Sequence, residues 1–493
     1  MRFVNELKNV LICFMVFLCF FCVSLLGQTG TTQAERPSNY YEDSAGTELN
    51  PYLISNLANL RWLSECSVDW WVDSDTRVHF MQTANIDATE TAVWNYGEGF
   101  RPIAHVTKYG YNQRIDFIGV YDGMNYVVNN LTIRHYRYIY YHPWDFFNLK
   151  AMFVGVSNSI IKNVHLVNVS ISSIYGIEPN EEVAGLAVLS SNTIIKNSSV
   201  SGNIIGSRYV GGITASIGRS STIENSFSNV NLTLLNYQES ITRSYVGGIS
   251  AQVYGTIKNS FSISNIVITH PSGAVGGLSG MSRNEGVHEN SYAVTRLLGD
   301  FEYKGGISGY SFFDNNTAII DNSVWNSEIS EVSNAIGELD NVEINRLGLD
   351  THSMKQRETY TALGWDFDNI WDINPNINGG YPYLRNMPLN VLNEDDETVI
   401  RVKDKLIGNY PNPFNPTTTI AFDIAKDTNV RIDIYNIRGQ KVKTLVNENY
   451  PVGSYKVDWH GTDDNNRKLA SGVYFYHMQT DDYSSTRRMI LMK

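Results

Sequence analysis

Two carboxylate pairs, one His-Glu dipeptide and one aromatic-rich stretch are where this sequence could do chemistry. Asp366 and Asp368 alternate with Trp365 and Phe367, so a strand would put both carboxyl groups on one face, as glycoside hydrolysis requires of its paired acids. They fall in a Trp- and Tyr-rich closing stretch, where a covering role is expected instead. Asp463-Asp464-Asn465-Asn466 reads as a hairpin turn and lacks the glycine and terminal Glu of an EF-hand loop. His288-Glu289-Asn290-Ser291-Tyr292 lacks the second histidine of H-E-x-x-H, which a zinc site needs one helical turn away. The ten histidines show no ligand spacing, and neither G-x-S-x-G nor a phosphate loop occurs. No catalytic residue, cofactor or metal is expected.

The aromatic stretch runs from Arg134 to Phe147, with Tyr136, Tyr138 and Tyr140 on one face of an extended chain and Trp144 beyond them. Such side chains stack on sugar rings or anchor protein contacts. These four residues are the candidate ligand contacts.

The elements that position them follow from composition and repeat. The chain has 493 residues, 42% hydrophobic and 18% charged, with 38 Gly and 30 Tyr, which excludes disorder for most of its length. A net charge of −12 offers no basic footprint for nucleic acid. Cys13, Cys19 and Cys22 lie near the amino terminus and Cys66 stands alone, so the remainder can build neither a disulfide nor a thiolate zinc cluster. Arg2 and Lys8 precede the apolar run Val10 to Leu26, followed by small and polar residues. That is the pattern of a secretory signal over residues 1–27, with a polar linker at 28–45.

Two short patterns alternate through the middle. One is a glycine-centred apolar cluster: Phe153-Val154-Gly155-Val156, Val183-Ala184-Gly185-Leu186, Val210-Gly211-Gly212-Ile213, Val246-Gly247-Gly248-Ile249, Val275-Gly276-Gly277-Leu278 and Lys304-Gly305-Gly306-Ile307. The other is Ile-x-Asn, ending at Asn163, Asn197, Asn225, Asn259 and Asn322, with His288-Glu289-Asn290 as a worn copy. The asparagines recur every 28 to 34 residues. Alternating β-branched residues between them read as strands, and repeated strands without helices predict a right-handed parallel β-helix. In such a solenoid the glycines would permit positive φ or a tight corner, and the asparagines would form an amide ladder from rung to rung.

These patterns resemble the GLUG-type repeats of bacterial adhesins and of some large secreted proteases. The resemblance covers residues 46–388, with Leu57 to Leu63 as a capping helix and Trp365, Trp371 and Tyr381 in a segment covering the last rung. It implies a display scaffold.

After a charged linker at 389–405, residues 406–493 carry about seven short strand patterns separated by turn residues, which predicts a small immunoglobulin-like β-sandwich. Tyr410-Pro411-Asn412-Pro413-Phe414-Asn415-Pro416, then Ile434 to Gln440 and Ala470 to Phe475, resemble type A sorting domains of the type IX secretion system. That resemblance implies passage through the outer membrane of a Bacteroidota-like bacterium and the secretion machinery as partner. The expected protein is all-β, extracellular or on the outer surface, monomeric and non-catalytic. Its expected role is adhesion or recognition of a surface glycan or host or matrix protein. The alternative is a polysaccharide lyase or glycoside hydrolase on the same scaffold.

Overall fold

The computed structural model describes residues 32–71, 77–104, 116–135, 149–173, 181–235, 243–268, 273–283, 286–299, 301–311, 318–338, 347–385, 387, 405–424, 428–450, 453–481 and 483–492. The signal at 1–27 and the contacts Tyr136, Tyr138, Tyr140 and Trp144 lie outside the described residues. Two compact units divide the chain between Glu394 and Asp395, residues 298–300 grouping with the second.

The first unit is a parallel β-helix. One turn consists of four strands, as in Tyr209–Gly211, Thr214–Ile217, Thr222–Glu224 and Phe227–Leu234, which form its first to fourth walls. Six successive rungs among the described residues carry all four, from Leu149–Lys150 through Val324–Asn326. The walls are sheets of six, seven, nine and ten strands. The Ile-x-Asn repeat sets the register of the third wall: Ile161, Ile195, Ile223, Ile257, His288 and Ile320 stack in one column. The glycine-centred repeat does the same for the first, where Val183, Val210, Val246 and Val275 align. Both columns face a continuous aliphatic core. No single rung could bury these side chains; stacking at about 4.8 Å lets each cover the next.

The first glycine-centred copy lies one wall later than its sequence pattern implies. Phe153–Ser157 belongs to the second wall, opposite Ala187–Ser191, and the counterpart of Glu182–Ala184 is Leu149–Lys150. Gly155 imitates the corner glycine without occupying its place.

The corner chemistry also differs from expectation, because the asparagines take the left-handed role expected of the glycines while the ladder passes to serines. The corner asparagines supply the left-handed backbone, with φ of 55° at Asn163, 48° at Asn197 and 47° at Asn225, Asn259, Asn290 and Asn322. The paired glycines supply close approach: a Cβ on Gly248 would lie 2.2 Å from the Gly277 carbonyl oxygen of the next rung. An amide bond joins Asn197 to Asn163 at 3.2 Å, but the unbroken ladder at this corner belongs to the following serines. The N–H groups of Val164, Ser198, Ser226, Ser260 and Ser291 donate to the hydroxyls of Ser198, Ser226, Ser260, Ser291 and Ser323 at 3.0–3.2 Å. From Ser198 to Ser291 each hydroxyl also donates to the carbonyl two residues earlier, at 2.7–2.8 Å. Buried backbone donors are thereby satisfied where the chain turns.

At the amino-terminal end the expected helix forms over Leu57–Glu65, capped by Asn56, whose side chain accepts the Asn59 N–H at 2.9 Å. It buries Leu60, Trp62 and Leu63 in the core. The closing segment meets the last rung, where Trp365 donates to the Asn322 carbonyl at 2.9 Å and Asn326 donates to the Tyr381 hydroxyl at 3.2 Å, and it also extends along a flank. Phe227, Phe261 and Tyr292 stack outside the main core with centroids 4.8 and 4.9 Å apart, and Trp365, Trp371 and Tyr381 surround the column's end. Tyr292 donates to the Pro382 carbonyl at 2.6 Å. An outward aromatic column needs a cover along its side, and the segment supplies it.

The second unit has a three-stranded antiparallel sheet (Lys405–Tyr410, Thr418–Ile424, Gly453–Trp459) and a four-stranded one (Thr428–Asn436, Lys441–Tyr450, Gly472–Gln479, Ser484–Leu491). Ile420, Phe422, Ile432, Ile434, Trp459, Tyr476 and Met489 form the core between them.

Candidate functional site

Along the first wall, core valines alternate with outward residues. Since Val210 and Val246 face inward, Tyr209 and Tyr245 face out, in one column with Glu182, Ala274 and Tyr303. The second wall contributes Gln252, Met281 and Tyr310 in register. The two columns converge into a cluster of Tyr245, Ala251, Ala274, Met281 and Tyr310, edged by Tyr209, Tyr254 and Tyr303. The result is a tyrosine ledge running along the solenoid.

Its geometry is ordered by stacking. The rings of Tyr209 and Tyr245 lie parallel, 5.5 Å apart and inclined by 20°. Tyr303 meets Tyr310 at 5.3 Å and 52°. Two guanidinium groups lie over ring faces: Arg208 over Tyr209 at 4.6 Å, and Arg243 over Tyr303 at 5.1 Å and Tyr310 at 4.7 Å. Arg243 also donates to the Tyr303 hydroxyl at 3.4 Å and pairs with Glu302 at 3.5 Å. Ala274 interrupts the column, leaving a step two rungs wide, about 10 Å, between Tyr245 and Tyr303. Burial pushes the Tyr245 phenol up to about 12 and raises Tyr209, so both keep their protons at neutral pH. Tyr245 and Tyr310 are buried within the ledge, and its half-buried outer groups are Tyr209 and Tyr303 with Arg208 and Arg243 over their rings.

The repeat contained this signal. Tyr209, Tyr245 and Tyr303 each stand one residue before the glycine-centred cluster, just outside the boundaries drawn for it.

The carboxylate pairs make turns. Asp366 accepts the N–H groups of Asp368 and Asn369 at 2.9 and 2.8 Å, and these bonds with the Asn369 amide lower its pKa. Asp463 accepts from the N–H groups of Asn465 and Arg467 and pairs with the Arg467 side chain at 2.9 Å, while Asp464 accepts the Thr444 N–H. No cluster of metal-ligating side chains occurs among the described residues.

His288 comes within 2.9 Å of the Ser279 hydroxyl, a nucleophile–base spacing, but both are 0% exposed inside the solenoid. A substrate has no route to them, and desolvation lowers the imidazole to about 4. His165 is buried too, but in the outward column that runs through Ser199 to Phe227 and Phe261, where Ser199 at 2.9 Å and Asn125 at 3.2 Å hold it. Glu181 accepts from the Ser207 hydroxyl, and burial pushes its carboxyl up to about 7.

In the second unit the proline-rich motif ties the unit's opening to its last strand. Phe414 is buried against Trp459 at 5.4 Å, its N–H donates to the Ile490 carbonyl at 2.9 Å, and its carbonyl accepts the Met492 N–H at 2.8 Å. Asn412 exchanges hydrogen bonds with Arg488 and Ile490. The Asn412–Pro413 and Asn415–Pro416 peptides are cis. The motif Tyr410 to Pro416 is thus a structural clasp.

Comparison with known proteins sorts the two units differently. Over 173 residues the chain is 26% identical to halomucin of Haloquadratum walsbyi, covering 35% of this chain and 2% of that protein. Over 235 residues it is 29% identical to immunoglobulin A1 protease of Streptococcus pneumoniae, covering 46% of this chain and 10% of that one. The chain therefore spans a tenth or less of these curated relatives. A solved structure of an IgA1 protease aligns with 58% of this chain and 20% of its own, at 18% identity and a TM-score of 0.40. Residues 409–492 match the family described as "Secretion system C-terminal sorting domain". The seven-stranded second unit is therefore a sorting domain, and it directs the protein to the cell surface or the extracellular space.

Proposed function

We propose that this is a non-catalytic recognition protein, a GLUG-type, adhesin-like solenoid exported through type IX machinery, which binds glycan along its tyrosine ledge. The single observation that carries the reading is the row of tyrosines in which Arg208 lies over Tyr209, stacked on Tyr245, and Arg243 lies over Tyr303 and Tyr310. Aromatic edges and guanidinium groups set out along successive rungs, with one two-rung step at Ala274, suit a polymer that repeats polar groups along its length. Many weak contacts of this kind add through multivalency. The curated relatives align over a tenth or less of their length, so no activity of theirs is carried over.

The test is binding of the secreted full-length protein to an array of glycans. Replacing Tyr209 and Tyr303 together by Ala, or Arg243→Ala alone, should lower retention at least tenfold while leaving the fold intact by circular dichroism. Unchanged retention sinks the ledge. Capture of a matrix protein in place of any glycan would reassign the ligand. Polysaccharide cleavage that disappears in Asp366→Asn would restore the enzymatic alternative.

A further inference from the structure

The clasp formed by Tyr410 to Pro416 holds the sorting unit together and buries Phe414, so the motif's one large apolar side chain is not available to a partner, and an exposed apolar feature has to be sought elsewhere on the unit. The outer face of the four-stranded sheet has one. Because Ile434, Tyr474, Tyr476 and Met489 face the core, Tyr435, Phe475 and Arg488 point the other way. Cross-strand register places Lys441, Tyr435, Phe475 and Arg488 in a single row over four strands. Tyr435, Phe475, His477 and Thr486 line an open depression of about 420 Å³, with Asn436, Ile437 and Gly439 at its edge.

Ile437 is the feature the fold does not explain. It is 74% exposed on the tip of the hairpin between Thr428–Asn436 and Lys441–Tyr450. The turn that carries it is fixed by Asn436, whose side-chain oxygen accepts the N–H groups of Arg438 and Gln440 at 2.9 and 3.0 Å. The Asn436 amide donates to the Gln440 side chain at 2.9 Å, and its N–H to the Gln440 carbonyl at 3.0 Å. Gly439 completes the turn at φ 72°. A turn braced this way holds an apolar knob in water in one conformation, which lowers the entropy lost when a partner covers it. On the neighbouring strands His477 is oriented by the Thr486 hydroxyl at 2.8 Å.

We propose that the knob of Ile437 and the Tyr435–Phe475 depression form the docking surface for a protein of the secretion machinery, one presenting an apolar cleft rimmed by acidic groups. This rests on the sorting-domain assignment and names the surface that would carry it out. The family match covers these residues, and it places a protein-recognition task on this unit. Charge selects the kind of partner. Residues 405–493 hold twelve Lys and Arg against nine Asp and Glu, in a chain whose net charge is −12. Lys441 and Arg488 stand on this face, Arg438 is exposed in the turn beside Ile437, and Arg431 and Lys441 lie near Asp433 at 2.8 and 3.9 Å. A second copy of the same face would bring Lys441 and Arg488 against like charges. A bilayer surface would leave the concave depression unfilled.

The experiment is export of the full-length protein in a host with an active type IX system, measured as the ratio of surface and medium to periplasm. Ile437→Asp should lower that ratio at least tenfold, and Lys441→Glu with Arg488→Glu should lower it several-fold. Both proteins should stay folded, shown by intact protease resistance of the retained material. Ile437→Leu should export as wild type, which a requirement for the knob's apolar shape predicts. Normal export of Ile437→Asp overturns the docking surface. Deletion of residues 405–493 provides the separate control: loss of export upholds the sorting assignment whatever Ile437→Asp does, and normal export of the deletion overturns that assignment itself. Retention of Ile437→Asp accompanied by lost binding to anionic vesicles would replace the protein partner by a membrane surface and overturn the proposal.

Discussion

The solenoid and the sandwich bury apolar residues by opposite strategies. In the solenoid each residue's principal neighbours are its own counterparts about one rung away, so Ile223 stacks between Ile195 and Ile257. In the sandwich the decisive contacts cross the unit, as when Phe414 meets Ile490 and Leu491. Stacking makes the sequence repeat a record of the structure, and it also makes one bad position fail against two neighbours at once. Closure leaves no repeat to read, and makes the two ends of the unit interdependent.

Several substitutions would break or sharpen this contrast. The largest effect is expected for Gly248→Val, whose Cβ would collide with the Gly277 backbone of the adjacent rung; thermal or denaturant unfolding should show a loss of about 4 kcal/mol. A well-tolerated valine there would mean that the rungs can slide apart. For the sandwich, Phe414→Ala should cost its unfolding transition about 3 kcal/mol, since it empties the contact with Trp459. A loss below about 1 kcal/mol would demote the clasp to a surface feature.

The buried polar groups make the solenoid sensitive to acid. His165 and His288 are pushed down to about 4 from 6.5 by burial, so the folded state holds them neutral. Their contribution is complete above pH 6.5 and is lost as the pH falls towards 4. Glu181, raised from 4.5 to about 7, works the other way: its contribution is complete below pH 4.5 and is lost as the pH rises through 7. Two groups against one predict a net loss of stability on acidification. His288→Ile, which matches Ile257 and Ile320 in its column, should remove on the order of 2–3 kcal/mol of that loss. An unchanged pH profile in this variant would show that the imidazole is not the acid-sensitive group.

Smaller effects separate the two corner ladders. Ser226→Ala strips the Ser198 N–H of its acceptor and should cost about 2 kcal/mol. Asn225→Ala should cost about 1 kcal/mol and Asn225→Gly only a few tenths, because the asparagine is there for its left-handed backbone. Equal losses in both would return the amide ladder to this corner.

How far the sequence could be read follows the same division. The Ile column, the valine column and the helix at Leu57–Glu65 are where the pattern places them. Gly155 misled because a glycine between apolar residues reads the same on the first wall and the second; only strand pairing tells them apart. The serine ladder was present as Asn-Ser in five successive rungs, yet a small polar residue after a turn reads as more turn until its hydroxyl is seen bonded both ways. The tyrosine ledge stood one residue outside the repeat. The proline-rich motif was legible as a motif, but its clasp depends on a strand more than seventy residues away.

By itself the sequence determined that the chain is all-β, that its middle coils with a period near thirty residues and that its last ninety residues form a separate unit. Periodicity survives in one dimension, since apolar side chains must recur wherever a rung needs covering. The tertiary structure decided which atoms carry the corners, that the closing segment also extends along a flank, and that two columns of outward residues converge into one ledge. Those are relations between neighbouring walls or distant strands, and their distances arise only when the chain is wound.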